Sequence, residues 1–351
     1  MLTSYFIEVL LILLSLICFL IAIVFLTLWE RQLMASIQRR LGPDYVSEFG
    51  LLQPLMDGLK AVLKEVTIPR KAEDSFFKFA PLFTLTISLL SVLILPIEEN
   101  AVNIIVNFLL LIGLCSAGVF GIIFAGWESY SRYAILGSMR AIAQTIAYEV
   151  YLILGLLPII YVIGSVNIEV IENFQEHTLI LAIPFGPLAF IYFITTLVET
   201  NRSPFDLTEA EAELVAGYNT EYSGLLFALY FLAEYGFMIV LSHINVLVFW
   251  GGDSNMPFDF EKNWRDYDNV LIYSILWIFH FFFGFLGNFI DLFRIFVGDL
   301  ITKVLINLWL YIGIRAITPR IRFDHLMQFG WQIILPFQLG LLWFYTGYFT
   351  I

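Results

Sequence analysis

The chain alternates long apolar runs with short polar stretches, and this alternation predicts its architecture. The first run, residues 9–28, has twenty consecutive residues without a charge. As a helix rising about 1.5 Å per residue, it is long enough to cross the hydrocarbon core of a bilayer, which is about 30 Å thick. Similar runs recur along the chain. We predict eight transmembrane helices, at residues 9–28, 79–97, 101–125, 142–162, 178–198, 223–250, 297–314 and 326–349.

A further apolar stretch, residues 270–290, contains only His280 as an ionisable residue. If it crossed the membrane, the basic residues after position 314 would move to the other side, against the bias of the remaining loops. We therefore expect an auxiliary element that lies along the interface or enters and returns, with a ninth span as the alternative. It falls within an insertion that we predict at 251–296.

Residues 50–65 have the pattern of an amphipathic helix. Leucines and a valine recur at the helical period, whereas Gln53, Asp57, Lys60 and Lys64 fall on the other face. Such a helix lies in the headgroup region of a membrane. We predict it inside a polar loop at 30–78, either as an anchor or as the lip of an opening for a lipid-soluble substrate.

The cations favour one side of this eight-helix arrangement. The predicted turns around 98–100 and 167–177 contain none. The positive-inside rule identifies the basic side as cytoplasmic or matrix. Of the 18 lysines and arginines, 14 fall on that side: Arg31, Arg39, Arg40, Lys60, Lys64, Arg70, Lys71, Lys78, Arg132, Arg140, Arg202, Arg315, Arg320 and Arg322.

Composition agrees with this topology. Hydrophobic residues make up 60% of the chain, the mean hydropathy is +0.85, and only 14% of residues are charged, against about 25% in soluble domains. We predict an all-α polytopic membrane protein with one transmembrane domain over 1–351, and we expect the first apolar run to be a retained span. Cys18 and Cys115 lie singly in apolar runs, and no phosphate or dinucleotide motif occurs. We therefore expect no metal or redox cofactor bound by this chain alone.

The segment 199–222 is acidic and lies between two predicted spans. Ser203 followed by Pro204 predicts a helix start, and Gly217 is suited to the position after a helix end. Thr208 with Glu211 matches a capping box. The segment is either a solvated loop or an ordered acidic element with a chemical role. Its carboxylates are Glu199, Asp206, Glu209, Glu211, Glu213 and Glu221.

Two acids, Glu149 and Glu234, fall inside predicted spans. An ionised carboxylate there costs several kcal/mol unless it is paired or hydrated, so such residues are functional candidates. We predict that, together with Glu199, Glu209, Glu213 and Glu221, they form a file of acids that runs from the basic side into the membrane and relays protons. The alternative is that each is a protonated acid that hydrogen-bonds two helices together.

Several long motifs resemble subunit 1 of proton-pumping NADH:ubiquinone oxidoreductase, respiratory complex I, which in bacteria is the H subunit. The resemblance covers nearly the whole chain, and the 270–296 region departs from the compact form of that family. The segments that carry it are WERQLMASIQRRLGP, GLLQPLMDGLKAVLKE, GWESYSRYAILGSMRAIAQTIAYEV, VETNRSPFDLTEAEAELVAGYNTEYSG, FALYFLAEYG and IRAITPRIRFDHLM.

The resemblance implies that the chain forms most of the membrane side of a quinone tunnel, where the peripheral arm meets the membrane arm. It implies quinone-binding roles for Arg31, Arg40, Asp57, Arg202 and Phe205. It also places Asp206, Glu209, Glu211 and Glu213 in a loop that faces the quinone chamber. It implies that Glu149, Glu199, Glu221 and Glu234 connect this chamber to the proton-pumping subunits.

The same resemblance implies ubiquinone as the substrate, with NADH, FMN and iron–sulfur clusters held by partner subunits. The expected partners are the peripheral-arm quinone-site subunits, the adjacent membrane-arm subunits and membrane lipids, with no nucleic acid. The Phe- and Ile-rich composition favours the mitochondrial inner membrane over a bacterial plasma membrane. Two rival functions stay open at this point: a stand-alone ion-coupled secondary transporter and a purely structural anchor for a peripheral arm.

Overall fold

A computed structural model describes residues 2–95, 107–177, 180–206, 217–252 and 299–350, and these ranges contain helices and no strand. Short 3₁₀ segments occur at Glu48–Gly50 and Gly217–Glu221. The α-helices are α1 (Leu2–Ile37), α2 (Gln53–Leu63), α3 (Asp74–Ile94), α4 (Asn107–Glu128), α5 (Arg132–Ile163), α6 (Ile168–His177), α7 (Gly186–Glu199), α8 (Gly224–Phe249), α9 (Asp299–Ile317), α10 (Phe323–Gln328) and α11 (Leu335–Thr350).

Within the described ranges, six helical segments are long and apolar enough to cross a membrane: Val9–Ile37, Asp74–Ile94, Asn107–Glu128, Arg132–Ile163, Gly224–Phe249 and Leu300–Ile317. They correspond to six of the eight predicted spans. The prediction of an all-α polytopic membrane protein is confirmed.

The other two predicted spans have a different local structure. The span expected at 178–198 is the 14-residue helix α7, which begins only at Gly186 because Pro187 occupies its first turn, where proline is tolerated. The span expected at 326–349 is divided into α10 and α11 by a π-helical turn, Phe329–Ile334. A hydropathy pattern does not reveal such a turn, because a π turn changes the hydrogen bonding and leaves the apolar composition as it was.

The predicted amphipathic helix is present as α2, with Pro54 in its first turn. It packs on α1 and α8. Arg31 of α1 forms an ion pair with Asp57 of α2 at 2.7 Å, and the amide of Thr67 donates to the hydroxyl of Ser223, just before α8, at 3.0 Å. The leucines of α2 are exposed, among them Leu55 and Leu59. The apolar face of α2 is therefore directed away from the rest of the described chain.

The centre of the bundle is α8, which contacts α1, α2, α3, α6, α7 and α9. More of its apolar window is buried than in any other candidate span, 56% against 17% for α1. Since α8 begins beside the basic loops and is 26 residues long, it extends about 39 Å toward the opposite side. Glu234, which lies in the N-terminal half of α8, is therefore within the bundle.

Some predictions fall outside the described residues. These are the extra apolar segment at 270–290 with nearly all of the insertion at 251–296, the capping box at Thr208 and Glu211, and the loop acids Glu209 and Glu213.

Candidate functional site

The acidic segment 199–222 is described at its two ends, and we call residues 199–206 its first stem. The end of α7 positions this stem. Asn201 adopts a left-handed conformation, with φ of 50°. Its amide donates to the carbonyl of Val198 at 3.1 Å, and the amide of Arg202 donates to the carbonyl of Leu197 at 3.4 Å. This pair of bonds is a Schellman motif, in which asparagine replaces the usual glycine. The chain therefore turns sharply after Glu199, which leaves that carboxylate at the helix end.

The next residues form a turn rather than a helix, so the helix start predicted at Ser203–Pro204 is wrong. The amide of Phe205 donates to the carbonyl of Arg202 at 2.8 Å, and the Ser203–Pro204 peptide bond is cis. The buried Gln144 of α5 clamps this turn, because its Nε2 donates to the carbonyls of Val198 at 3.0 Å and Phe205 at 3.1 Å. Long-range contacts of this kind override a local capping signal.

Arg202 lies inside the protein and pairs with Glu30 of α1. Its Nη1 lies 3.1 Å and 3.3 Å from the two carboxylate oxygens, and its guanidinium carbon lies 4.0 Å above the ring of Tyr235 in α8. The hydroxyl of Tyr235 donates to Glu30 at 2.6 Å. Arg315 of α9 contacts the same carboxylate. These four residues form the Glu30 cluster, which joins the first stem to three helices.

The Glu30 cluster neutralises an acid that is only 4% exposed. Burial on its own would lower the pKa of the Arg202 guanidinium, but the Glu30 carboxylate and then Tyr235 raise it above its ordinary value. Arg202 therefore stays charged. Removing one partner of a buried pair strands the other charge and costs about 3–5 kcal/mol, so the cluster resists rearrangement.

Two further contacts fix the end of this stem. The carboxylate of Asp206 accepts from Nη2 of Arg320 at 3.1 Å, and the amide of Ile321 donates to the carbonyl of Pro204 at 3.1 Å. Asp206 and Phe205 are both buried. The first stem is thus attached to the loop that follows α9.

The second stem, residues 217–222, begins at Gly217, whose φ of 58° lies in the left-handed region. It packs directly on α5, because a Cβ added to Gly137 would lie 2.7 Å from the Cα of Gly217. The hydroxyl of Tyr218 donates to the carboxylate of Glu234 at 2.5 Å. Tyr222 stacks on Phe77 of α3 at 4.2 Å. Both stems are therefore attached to the helix bundle.

Between the two stems lies a cavity of about 60 Å³, lined by residues of α3, α4, α5, α7 and α8. A water molecule needs about 10–15 Å³ measured in the same way, so the cavity has room for about four. Its polar wall includes both Glu199 and Glu234. The other polar lining residues are Thr84, Thr145, Thr200, Asn201, Tyr218 and Tyr230.

Two buried oxygens on this wall have no hydrogen-bond partner among the described residues: Oε2 of Glu199 and Oδ1 of Asn201. Buried polar atoms in proteins are almost always paired, and an unpaired one next to a polar cavity indicates water. Glu199 thus differs from Glu30, whose oxygens are bonded to cations and a phenol.

The remaining predicted relay acids have different surroundings. Glu149 accepts a hydrogen bond from the hydroxyl of Ser116 on α4 and does not contribute to the cavity wall. Glu221 is half-buried at the end of the 3₁₀ segment and is also absent from that wall. Of the four predicted relay acids, the structure therefore places Glu199 and Glu234 in the cavity wall, and Glu149 and Glu221 outside it.

The predicted quinone-binding residues divide into two groups. Arg31 and Asp57 form their ion pair on the exposed surface, with side chains 54% and 39% accessible, and Arg40 is exposed beyond the end of α1. Arg202 and Phe205 are instead inside the first stem. A quinone role for these five residues stays a prediction.

Sequence reasoning did not select Glu30, Ser116 or Tyr218. Glu30 stands next to Arg31 at the end of a span, where an adjacent acid and base are ordinary. Its partners come from 172, 205 and 285 positions away, so no local spacing reveals them. Hydroxyl residues within spans are too common to stand out, although Tyr218 lies in the acidic segment.

Within the described ranges, no group of three or more His, Cys, Asp or Glu side chains is placed to hold a metal ion. Cys18 is exposed on α1 and Cys115 is buried on α4. The residues that line the cavity offer hydrogen bonding, and their carboxylates can exchange protons.

Comparison with known proteins supports the resemblance carried by the motifs. A family profile described as NADH dehydrogenase matches residues 10–346. NADH-ubiquinone oxidoreductase chain 1 of Arabidopsis thaliana is 42% identical over 323 residues, which cover 92% of this chain and 90% of the relative. The H subunit of the NADH-quinone oxidoreductase of Rhodospirillum rubrum is 40% identical over 321 residues, with 91% and 86% covered. The chain belongs to the NADH dehydrogenase family, which includes chain 1 of the NADH-ubiquinone oxidoreductases and the H subunit of the NADH-quinone oxidoreductases.

Proposed function

We propose that this chain is the membrane subunit of proton-pumping NADH:ubiquinone oxidoreductase that forms the ubiquinone-access tunnel and chamber. It couples quinone reduction to proton translocation through buried carboxylates. Membership of the family supports a role as a subunit of NADH-quinone oxidoreductase. The coupling role is supported by the site itself.

The observation that carries the coupling role is the cavity with Glu199 and Glu234 in its wall. A carboxylate within a membrane bundle is stable when it is paired, protonated or hydrated. The Oε2 atom of Glu199 has no partner among the described residues, so a proton or a water molecule has to satisfy it. Both options allow the group to gain and lose a proton while the helices stay in place.

Proton movement through the cavity follows from the contacts of its neighbours. Glu149 and Glu199 belong to α5 and α7, which pack on each other. Two neighbouring acids in a poorly solvated site disfavour a second charge, so a proton taken up by one of them favours release by the other. Glu234 accepts from Tyr218, which belongs to the second stem of the acidic segment. A change at that segment therefore alters the hydrogen bond that stabilises an ionised Glu234. In this proposal Glu221 passes protons between the segment and the cavity.

The quinone side of the proposal uses the basic-side surface. The exposed apolar face of α2 meets a lipid-soluble substrate at the entrance, where Arg31, Asp57 and Arg40 shape the opening. Arg202 and Phe205 set the position of the first stem at the chamber. The chamber loop then contributes Asp206, Glu209, Glu211 and Glu213.

The same proposal assigns the electron carriers to other chains. NADH, FMN and the iron–sulfur clusters are held by partner subunits, and this chain contacts the peripheral-arm quinone-site subunits, adjacent membrane-arm subunits and lipid. We place it in the mitochondrial inner membrane, which its Phe- and Ile-rich composition favours. Detection of the chain in purified inner membranes tests this location.

The experiment compares Glu149→Gln and Glu234→Gln with the exposed-site control Glu73→Gln in assembled complex. Glutamine keeps the shape and the hydrogen bonding and removes the titrating proton. Loss of a proton relay should lower NADH-driven proton translocation at least about tenfold, whereas the control should match the parent. Parental rates and stoichiometry in both buried variants would contradict the coupling role.

A further inference from the structure

The helix α9 has a polar ridge along one face, formed by Lys303, Asn307, Tyr311 and Arg315 at intervals of four residues. Residues four apart lie on the same side of a helix, and these four extend about 18 Å along it. The first three are buried, whereas Ile306, Trp309 and Leu310 on the other face are exposed. Three buried polar side chains in a row are costly in a membrane helix and call for an explanation.

Each ridge residue contacts a different part of the bundle. Nζ of Lys303 donates to the carbonyl of Gly252 at 2.7 Å, beyond the far end of α8. Asn307 contacts Asn245 of α8, with 3.3 Å between Oδ1 and Nδ2. The hydroxyl of Tyr311 lies 2.7 Å from the hydroxyl of Thr196 in α7.

The ridge also continues to the basic side. Tyr311 lies one helical turn from Asn307 on the same face of α9, and Arg315 contacts Glu30 at the basic side. Polar groups therefore run from the basic side toward the far end of α8, near Gly252.

One buried atom in this run is not explained by helix packing alone. Asn245 is 2% exposed, and its Oδ1 has no hydrogen-bond partner among the described residues. If these polar groups served only to hold helices together, we would expect each of them to have a hydrogen-bond partner, because an unpaired buried acceptor destabilises the contact between the helices. An acceptor left open points to a water molecule at this position.

The ridge begins beside the cavity described above. Thr200 lines the cavity, and Thr196, the partner of Tyr311, lies one helical turn away from it on α7. On α8, Leu241 lines the cavity, and the carbonyl of the adjacent Ser242 accepts from Nδ2 of Asn307 at 3.3 Å. Two helices thus connect the cavity wall to the ridge.

We propose that the polar ridge of α9, with Thr196 and Asn245, is a hydrated proton path from the cavity to the membrane side opposite the basic loops. This inference rests on the proposed proton-translocating function. It adds an exit that the carboxylate file by itself does not contain.

Each step moves one proton between neighbouring polar groups, and water bridges the groups that are not hydrogen-bonded to each other. A proton leaves the cavity through the Thr196 and Tyr311 hydroxyls, each of which donates its own proton as it accepts another. Water held by Asn245 and Asn307 carries the proton to Lys303. The Lys303 ammonium releases a proton to the far surface and is protonated again from the path.

The test uses assembled complex in proteoliposomes and measures the rate of NADH-driven proton translocation in H₂O and D₂O. Tyr311→Phe removes one hydroxyl and keeps the ring that packs on Phe193, and Asn307→Leu removes the amide. The matched control is Tyr345→Phe. Tyr345 is buried on α11, away from the ridge, and its hydroxyl donates to the carbonyl of Pro184 at 3.1 Å.

We expect both ridge variants to lose proton translocation about tenfold, since a missing relay hydrogen bond raises the transfer barrier. We also expect their solvent isotope effect to exceed the parental value, because proton transfer then limits the rate. Tyr345→Phe should match the parent in both readouts. If Asn307→Leu fails to assemble, Tyr311→Phe decides the question.

Parental translocation in the ridge variants would overturn the inference, and so would a loss of rate with an unchanged isotope effect, which indicates a structural role. Glu234→Gln, measured in parallel, separates the two proposals. Normal translocation by Glu234→Gln contradicts the carboxylate relay itself. Loss of translocation by Glu234→Gln with normal ridge variants contradicts only the ridge path.

Discussion

Glu30 and Glu199 are acids near the basic-side ends of α1 and α7, and their surroundings are opposite. Glu30 contacts two guanidiniums and a phenol. Glu199 has a buried Oε2 without a partner among the described residues and borders a cavity. The comparison shows that burial alone does not identify a proton-relay acid. The number of cations around the carboxylate and its access to water distinguish a structural charge from an exchangeable one.

The two arrangements also differ in what they stabilise. The Glu30 cluster joins α1, α8 and α9 to the first stem of the acidic segment, so its charges hold the segment against the bundle. Glu149 and Glu234 instead accept from hydroxyl groups, those of Ser116 and Tyr218, and a hydroxyl bonds to a carboxylate and to a carboxylic acid alike. Protonation should therefore break the Glu30 cluster and leave the cavity contacts in place.

The largest expected effect on stability comes from Glu30→Gln. The substitution leaves Arg202 and Arg315 without their counter-charge, and removing one partner of a buried pair costs about 3–5 kcal/mol. Thermal unfolding of the assembled complex and its yield should both fall. Asp57→Asn is the matched control, because its pair with Arg31 is solvent-exposed and contributes about 0–1 kcal/mol. Equal losses in the two variants would contradict the contrast between buried and exposed pairs.

Glu199→Gln should have the opposite pair of effects, with little change in stability and a large loss of proton translocation. No described cation pairs with the atom that is changed, so we expect stability within about 0.5 kcal/mol of the parent. Proton translocation should nevertheless fall at least about tenfold, because glutamine carries no exchangeable carboxyl proton. Calorimetry and proton translocation on the same preparation check both parts. A strongly destabilised variant with normal translocation would reverse the roles assigned to Glu30 and Glu199.

Tyr218→Phe should have an effect on stability between those of Glu30→Gln and Glu199→Gln. It removes the hydrogen bond to Glu234, worth about 1 kcal/mol to stability, and lowers translocation because an ionised Glu234 loses its donor. Tyr222→Phe is the control, since the Tyr222 hydroxyl donates to the backbone carbonyl of Phe77 at 3.3 Å. Translocation rates and melting temperatures of both variants provide the test. Equal translocation in the two variants would remove Tyr218 from the coupling site.

The smallest effect is expected for Arg31→Gln. Its exposed pair with Asp57 is screened by salt, so stability should change by less than about 1 kcal/mol. If the pair shapes the quinone entrance, the KM for ubiquinone should rise while the kcat changes little. Steady-state kinetics at low and high salt measure both constants. An unchanged KM at low salt would leave Arg31 without the proposed role.

The sequence predicts the helices well because a membrane-spanning helix needs a long apolar run, which hydropathy detects directly. The six long spans and the amphipathic helix α2 follow from runs of apolar residues and their period. The exceptions have specific causes. Pro187 delays the start of α7, and the π turn at Phe329–Ile334 divides the last helix. The turn at Ser203–Pro204 is held by Gln144 of another helix.

The candidate site could be predicted only in part. Glu149 and Glu234 stand out because an acid in an apolar run is rare. The Glu30 cluster could not be predicted, since its partners are distant in sequence and each has an ordinary local context. The cavity depends on the packing of five helices, which no single-helix pattern encodes. Sequence reasoning thus identified the unusual charges, and the structure distinguishes paired acids from those that border the cavity.

The most direct test of the central claim is infrared difference spectroscopy of assembled complex during quinone reduction, with Glu199→Gln and the exposed-site control Glu73→Gln compared with the parent. If the cavity acids change protonation, the parent shows a difference band from a protonated carboxyl group. We predict that Glu199→Gln loses or shifts this band and that Glu73→Gln retains it. An identical carboxyl difference spectrum in parent and Glu199→Gln would contradict a protonation change at Glu199.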